Sequence, residues 1–188
     1  MQIETDRLIL RDFSPEDAGD LAACRADERS WRYYDPPGDV FEGARQHVQM
    51  FVDWQHAEPR THFQLAITLK DTRRLIGDCG LRQRAELPFG ETASNEGDIG
   101  YELDPAYWGN GYATEAVLAI VAFGFGELGL HRIWTACVSE NERSWRLMER
   151  IGMRREGLLK QNEWMRDRWW DTPVYAFLRD EWAAPRTD

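Results

Sequence analysis

The stretch Ile99-Gly100-Tyr101-Glu102-Leu103-Asp104-Pro105-Ala106-Tyr107-Trp108-Gly109-Asn110-Gly111-Tyr112-Ala113-Thr114-Glu115-Ala116 passes from strand to helix through a glycine turn without interruption. A strand is predicted over 98–103. Beyond the turn, Ala113, Ala116, Val117, Ile120, Val121 and Phe125 recur at intervals of three and four, the spacing of a helix with a buried face. A turn of this kind gathers unpaired backbone N–H groups and the positive end of a helix dipole at one point, which suits a phosphate. Trp-Gly-Asn-Gly-Tyr-Ala lacks the Gly-Lys-Ser/Thr ending of a P-loop. It also lacks the third glycine of the dinucleotide fingerprint. The turn is therefore either a plain connection or a pyrophosphate site that needs no metal.

Working outward, 7–11 is short, apolar and flanked by arginines, and predicts a strand. Ser14, Pro15, Glu16 and Asp17 mark a helix start, with the helix expected to run to about Arg29. Trp31 to Gly38 breaks the pattern, and a second helix is predicted over 41–54. The segments 63–69 and 75–81 predict a hairpin, and 86–97 a polar loop. Past the long helix, the spacing predicts a strand over 131–138, a helix over 140–150, and closing strands over 153–164 and 169–178. Trp134, Trp145, Trp164, Trp169 and Trp170 concentrate in this last third, as core, dimer interface or acceptor cage.

The chain has 188 residues, enough for one domain, placed at 3–182. Lys and Arg total 23 against 33 Asp and Glu, and a net charge of -10 argues against binding nucleic acid. No apolar run is long enough to span a membrane and the N-terminus lacks a signal-peptide layout, so a cytoplasmic protein is expected. Cys24, Cys79 and Cys137 are scattered and odd in number, which fits packing in a reducing compartment. The four histidines form no ligand spacing, and no metal is implied.

Four blocks carry a resemblance: Thr5-Asp6-Arg7-Leu8-Ile9-Leu10-Arg11, Ile99 to Asp104, Trp108 to Ala116, and Asn141-Glu142-Arg143-Ser144 before Gly152-Met153. In this order they resemble the GNAT acyltransferases, in the branch of RimJ/RimL-like ribosomal-protein N-acetyltransferases. The resemblance implies an α/β (α+β) fold, a mixed, mainly antiparallel sheet flanked by helices. Its sheet would be splayed between the strand ending at Leu103 and the one starting at Arg132 to admit acetyl-CoA. It implies a pyrophosphate held by Trp108, Gly109, Asn110, Gly111, Tyr112, Ala113 and Thr114. The pantetheine arm would lie on Glu102, Leu103, Asp104 and Asn141. Trp108 departs from the Gln or Arg common at its position, a difference that backbone cradling tolerates. The family also implies a homodimer.

Acetyl transfer to a primary amine needs a neutral amine, a polarised carbonyl and a proton for the thiolate. A bulge at Gly100 and Tyr101 would free a backbone N–H for the carbonyl; alternatively Gly100 permits close packing. The tyrosine that many relatives use as proton donor is replaced by Met148, which cannot donate. Ser144 takes that role, by likeness to some RimL-like members, or else bonds only backbone. A lysine-like amine is neutral about 0.04% of the time at pH 7 and an α-amine about 10%, so an α-amine needs less help. Asp98 and Glu102 are the candidate bases, or else solvent-facing carboxylates. Trp31, Tyr33 and Tyr34 fall in the break between the first helices and line an amine pocket or pack. The acceptor is a protein N-terminus, or a small cationic amine such as a polyamine or amino sugar. A non-catalytic acyl-CoA sensor is the rival to an enzyme. Glu91, Glu96, Asp98, Glu102 and Asp104 would draw in a cation.

Overall fold

The computed structural model describes residues 1–36, 38–84 and 95–182. In chain order its elements are β1 (Gln2–Glu4), β2 (Leu8–Asp12), α1 (Ala18–Cys24), α2 (Val40–Gln55), β3 (His62–Leu69), β4 (Leu75–Arg84), β5 (Glu96–Leu103), α3 (Tyr112–Gly126), β6 (Arg132–Ala136), α4 (Glu142–Arg150), β7 (Arg154–Met165) and β8 (Arg168–Leu178). The strands form one sheet in the order β1-β2-β3-β4-β5-β6-β8-β7, antiparallel everywhere except at β5–β6. The expected GNAT-type sheet is the one observed.

Period-two patterning assigns the faces. Phe63, Leu65, Ile67 and Leu69 of β3 join a core with Ala116, Val117, Ile120 and Val121 of α3 and Leu147 and Met148 of α4. Ala66, one step out of phase, joins Phe13, Leu21, Ala44, Val48 and Phe51 under α1 and α2 on the other face. At roughly 1.5–3 kcal/mol for each large apolar side chain fully buried, these two clusters hold the helices to the sheet. Met148 is 1% exposed, so its side chain packs within the core.

The splay has a simple cause. β6 pairs with β8 from Arg132↔Leu178 to Ala136↔Val174 but meets β5 only at Glu96↔Arg132, Gly97↔Ile133 and Asp98↔Trp134. After Asp98, β6 follows β8 away from β5. The Thr135 hydroxyl then bonds the Ile99 carbonyl at 2.8 Å, closing the last rung before the opening. No helix among the described residues is long and apolar enough to cross a membrane.

Several local expectations are corrected. The helix predicted from Pro15 to Arg29 is a 3-10 turn at Pro15–Asp17, then α1, then a second 3-10 turn at Glu28–Trp31. Asp27 breaks it, its carboxylate accepting the Arg29 N–H at 2.9 Å and restarting the chain. β1 escapes the pattern because three residues carry no period. Of the predicted loop at 86–97, residues 86–94, Glu91 among them, lie outside the described residues, while Glu96 and Gly97 belong to β5. The predicted bulge is absent: β4 and β5 pair continuously from Gly77↔Leu103 to Arg84↔Glu96. Nor is Gly100 a close-packing site, since a Cβ there would meet nothing within 4 Å.

Candidate active site

The glycine turn after β5 is built as an anion receptor. Gly109 and Gly111 both sit at φ +81°, left-handed backbone that β-carbons disfavour, and Gly111 starts α3 without a side-chain cap. The Glu115 N–H bonds the Gly111 carbonyl, so the N–H groups of Tyr112, Ala113 and Thr114 precede the helical ladder. The N-terminal block braces this turn. Arg7 donates to the Asn110 carbonyl at 2.9 Å and to Glu115 at 2.7 Å, and the Thr5 hydroxyl donates to Glu115 at 2.5 Å. Trp108 bonds the Leu103 carbonyl through Nε1 at 2.8 Å, and its ring lies between the guanidinium groups of Arg29 (5.8 Å) and Arg143 (4.5 Å). Arg7 covers Tyr112 and Arg74 covers Tyr107. Four arginines thus border this turn, Arg7 paired with Glu115 and Arg29 with Asp27.

In the opening itself, the Ile99 carbonyl faces β6, so by strand parity the backbone groups of Tyr101 and Leu103 face the same gap. Divergence of β6, rather than a bulge, exposes the Tyr101 N–H. On the α3/α4 face the Tyr101 hydroxyl and Ser144 Oγ are 2.8 Å apart, and the Tyr101 hydroxyl also donates to the Ser144 carbonyl at 3.2 Å. Ser144 thus bonds another side chain, and burial pushes the Tyr101 phenol up so that it keeps its proton. Asn141 caps α4, its Oδ1 accepting the Ser144 N–H at 3.3 Å, and the residue lines a cavity with Tyr33, Tyr34 and Cys137. Cys137 lies beside this pair, its thiol pushed up to about 11 by burial.

The α1/α2 face of β5 carries the carboxylates. Asp98 sits at the last β5–β6 pairing, held by Arg82 at 2.9 Å and Arg84 at 3.7 Å. Glu102 sits within the opening, its carboxylate 29% exposed and 3.0 Å from Arg25. Gly100 lies between them without a side chain to block the floor. Burial raises Glu102 to about 7, reinforced by the charge of Asp78 and opposed by Arg25. Arg25 itself is 7% exposed and also bonds Asp78 at 3.2 Å and His47 Nδ1 at 2.6 Å. The expected acidic patch is smaller than the sequence suggests, because Glu96, Asp98 and Glu102 each face an arginine and Asp104 caps the Ala106 N–H. Neither Arg25 nor Asp78 announces itself in sequence, because neither falls in a motif and their pairing is across the fold.

Trp31, Tyr33 and Tyr34 do overhang this face. Arg166, at the β7–β8 turn, ties their segment down by donating to the Trp31 carbonyl (2.9 Å), the Tyr34 carbonyl (3.2 Å) and, through its N–H, to Asp35 (3.1 Å). The Tyr33 hydroxyl reaches the Glu140 carbonyl at 2.8 Å. Beneath lies a cavity of about 180 Å³ between Tyr33, Tyr34, Cys137, Asn141, Glu163 and Met165. A neighbouring one of about 140 Å³ is lined by Trp31, Arg25, Asp35 and His47. Of the tryptophans, Trp170 is buried, while Trp164 and Trp169 pair edge to face on the exposed hairpin. Among the described residues no group of three or more His, Cys, Asp or Glu is placed to hold a metal ion.

Residues 7–154 match the family described as an acetyltransferase (GNAT) domain. The chain is 35% identical over 182 residues to an uncharacterised N-acetyltransferase, YnaD of Bacillus subtilis (strain 168), covering 97% of this chain and 99% of that one. It superposes on the crystal structure of an acetyltransferase (GNAT family) from Bacillus anthracis with a TM-score of 0.78 at 30% identity, covering 96% of this chain and 100% of that one. It is also 23% identical over 191 residues to the [Ribosomal protein uS5]-alanine N-acetyltransferase of Escherichia coli (strain K12), covering 99% of this chain and 95% of that one. With its strand-turn-helix anion receptor, splayed sheet and near full-length matches, this chain belongs to the GNAT acetyltransferases and is an acetyl-transfer enzyme.

Proposed function

We propose that this enzyme moves an acetyl group from acetyl-CoA directly to a primary amine in a ternary complex, with a protein N-terminal α-amine as the acceptor. One observation carries the reading: a single opening between β5 and β6 has a hydroxyl pair on one face and a half-buried carboxylate, Glu102, on the other. The cofactor fits the residues present. The uncapped start of α3, bordered by Arg7, Arg29, Arg74 and Arg143, would hold its phosphates, and the Tyr101 carbonyl and Leu103 N–H with Asn141 would hold its arm, since the Glu102 backbone faces β4 and the Asp104 N–H is taken by the Ile76 carbonyl. Acetyl-CoA, when bound, supplies the acyl group as an activated thioester.

The residues then divide the work. The Tyr101 N–H polarises the carbonyl oxygen, an interaction that strengthens as negative charge builds there. Glu102 removes a proton from the amine, directly or through one water. The Ser144 hydroxyl gives its proton to the departing sulfur and takes one back from water, while the Tyr101 hydroxyl it touches keeps its own proton and orients it. Asp98 stays outside the proton transfer, because Arg82 and Arg84 hold it at the last β5–β6 pairing. Trp31, Tyr33 and Tyr34 wall the acceptor pocket.

An α-amine is favoured because it needs the smaller drop in protonation, matched by a base near 7. The resemblance to an enzyme named for ribosomal-protein alanine supports it. A small cationic amine is the second reading, favoured by Glu163, which lines the cavity beside Tyr34 and makes no ion pair among the described residues. Thiol release from acetyl-CoA with a panel of short peptides and small amines tests both. Release with peptides alone supports the first and with small amines alone the second. Tight CoA binding without release above buffer overturns turnover altogether. The family likeness also carries a homodimer in the cytoplasm, and sedimentation at two concentrations tests the dimer.

A further inference from the structure

Under the acceptor opening, three polar side chains from three elements converge on one guanidinium, and a fourth side chain bonds one of them. Arg25, just past the end of α1, donates to Glu102 Oε2 of β5 through Nε and Nη2, to Asp78 Oδ2 of β4 through Nη2, and to His47 Nδ1 of α2 through Nη1. Gln64 of β3 completes the set, donating to Asp78 Oδ1 at 2.6 Å. Trp31 of the α1–α2 connection lies against it, its Nε1 donating to the Arg25 carbonyl at 2.7 Å. On the same strand face Asp98 is engaged elsewhere, by Arg82 and Arg84.

The protonation states follow from who can donate. An arginine has only donors, so His47 Nδ1 must be the acceptor and the imidazole is neutral, consistent with burial and the Arg25 charge holding its pKa down. The cluster therefore holds one positive charge and two carboxyl groups. With both ionised it carries one surplus negative charge in surroundings where Arg25 and Asp78 are 8% and 7% exposed. Two carboxylates so placed resist ionising together.

We propose that Arg25 and Asp78 are positioning residues of a proton-sharing cluster, in which one guanidinium set against two carboxyls leaves room for a single proton, taken up at Glu102. The site is chosen by geometry. Both oxygens of Asp78 receive donors, from Gln64 and Arg25, so a proton placed there would have no acceptor to point at. Burial does push Asp78 upward, but its hydrogen bonds all favour the ionised form. At Glu102 both arginine contacts fall on Oε2, and Oε1 remains to take the proton. During turnover the N–H bond of the attacking amine breaks and an O–H bond forms on Glu102, and the cluster passes from a net charge of minus one to zero. The proton then leaves to water through the exposed side of Glu102.

The proposal rests on Glu102 acting as the base, and its test separates the two ideas. kcat/KM is measured against pH with an acceptor whose own pKa exceeds 9, so that the lower break in the profile belongs to the enzyme. Asp78→Asn removes the neighbouring negative charge and should move that break down by about one pH unit; Arg25→Gln removes the cation and should move it up by about one. Glu102→Gln should abolish it. Shifts in opposite directions support the cluster, because general damage to the fold moves no break in a charge-dependent direction. A break abolished by Glu102→Gln but unmoved, or moved the same way, by the other two overturns the cluster alone. A break that survives Glu102→Gln overturns the base itself. If Asp78→Asn or Arg25→Gln does not fold, carboxyl 13C NMR of the wild-type protein decides. One carboxyl titrating near neutrality and absent in Glu102→Gln supports the proposal, whereas Asp78 titrating there in place of Glu102 overturns it.

Discussion

The two faces of β5 are built on different principles. On the α3 side the proposed cofactor receptor is mostly main chain, with two left-handed glycines, an uncapped helix start and strand groups left open by a departing neighbour, the Tyr101–Ser144 hydroxyl pair being the side-chain exception. On the α1 side the chemistry is carried by side chains drawn from α1, α2, β3, β4 and β5 around Arg25. The first is local in sequence, spanning 101–115. The second joins residues as distant as Arg25 and Glu102. A cofactor common to a whole family suits a backbone receptor that tolerates changes in side chain, as at Trp108. An acceptor that varies within the family suits a wall made of replaceable side chains.

Substitutions can break this contrast, the largest effect first. Glu102→Gln should lower kcat/KM by about 100-fold or more at neutral pH while leaving the Kd for CoA within about twofold, measured by steady-state rates and calorimetry. A parallel loss of CoA affinity would show that the two faces are not separable. Gly111→Val should act the other way, raising the KM for acetyl-CoA about tenfold and lowering stability by about 1–2 kcal/mol. A β-branched residue at φ +81° is strained, and even a Cβ there would stand 3.3 Å from Arg7 Nη2. Thermal melts with and without CoA would register both effects.

Smaller effects sharpen the division within the opening. Ser144→Ala should lower kcat about tenfold with little change in KM, since water remains to supply the proton, whereas Asn141→Ala should mainly raise the KM for acetyl-CoA. Equal, negligible effects in single-turnover and steady-state assays would remove both residues from the site. The smallest effect is that of salt. Asp98 and Glu163 should steer a cationic acceptor, so kcat/KM should fall a few-fold between about 0.02 and 0.5 M salt and stay flat for a neutral one.

Legibility followed the same division. The segment from Ile99 to Ala116 could be read as strand, turn and helix because periodicity and glycine placement are local signals, and the splay followed once the family was recognised. The end of α1 at Cys24 was missed because helix-start signals say little about length, and the Asp27 side chain redirects the chain. No bulge forms at Gly100: a glycine in a strand has several uses, and here its missing side chain leaves open space beside Glu102. Asp98 and Glu102 looked equivalent, four apart on one strand. Only the point where β6 leaves β5, just after Asp98, separates a carboxylate held by surface arginines from one within the opening.

By itself the sequence determined the family, the order of the main elements and the glycine turn proposed for the cofactor, because each depends on neighbours along the chain. Tertiary structure alone decided which carboxylate lies within the opening, which hydroxyl meets Ser144, and that Arg25 stands between Asp78 and Glu102. Those are matters of distance across the sheet and of charge removed from water, and neither is written in the spacing of residues along a strand or helix.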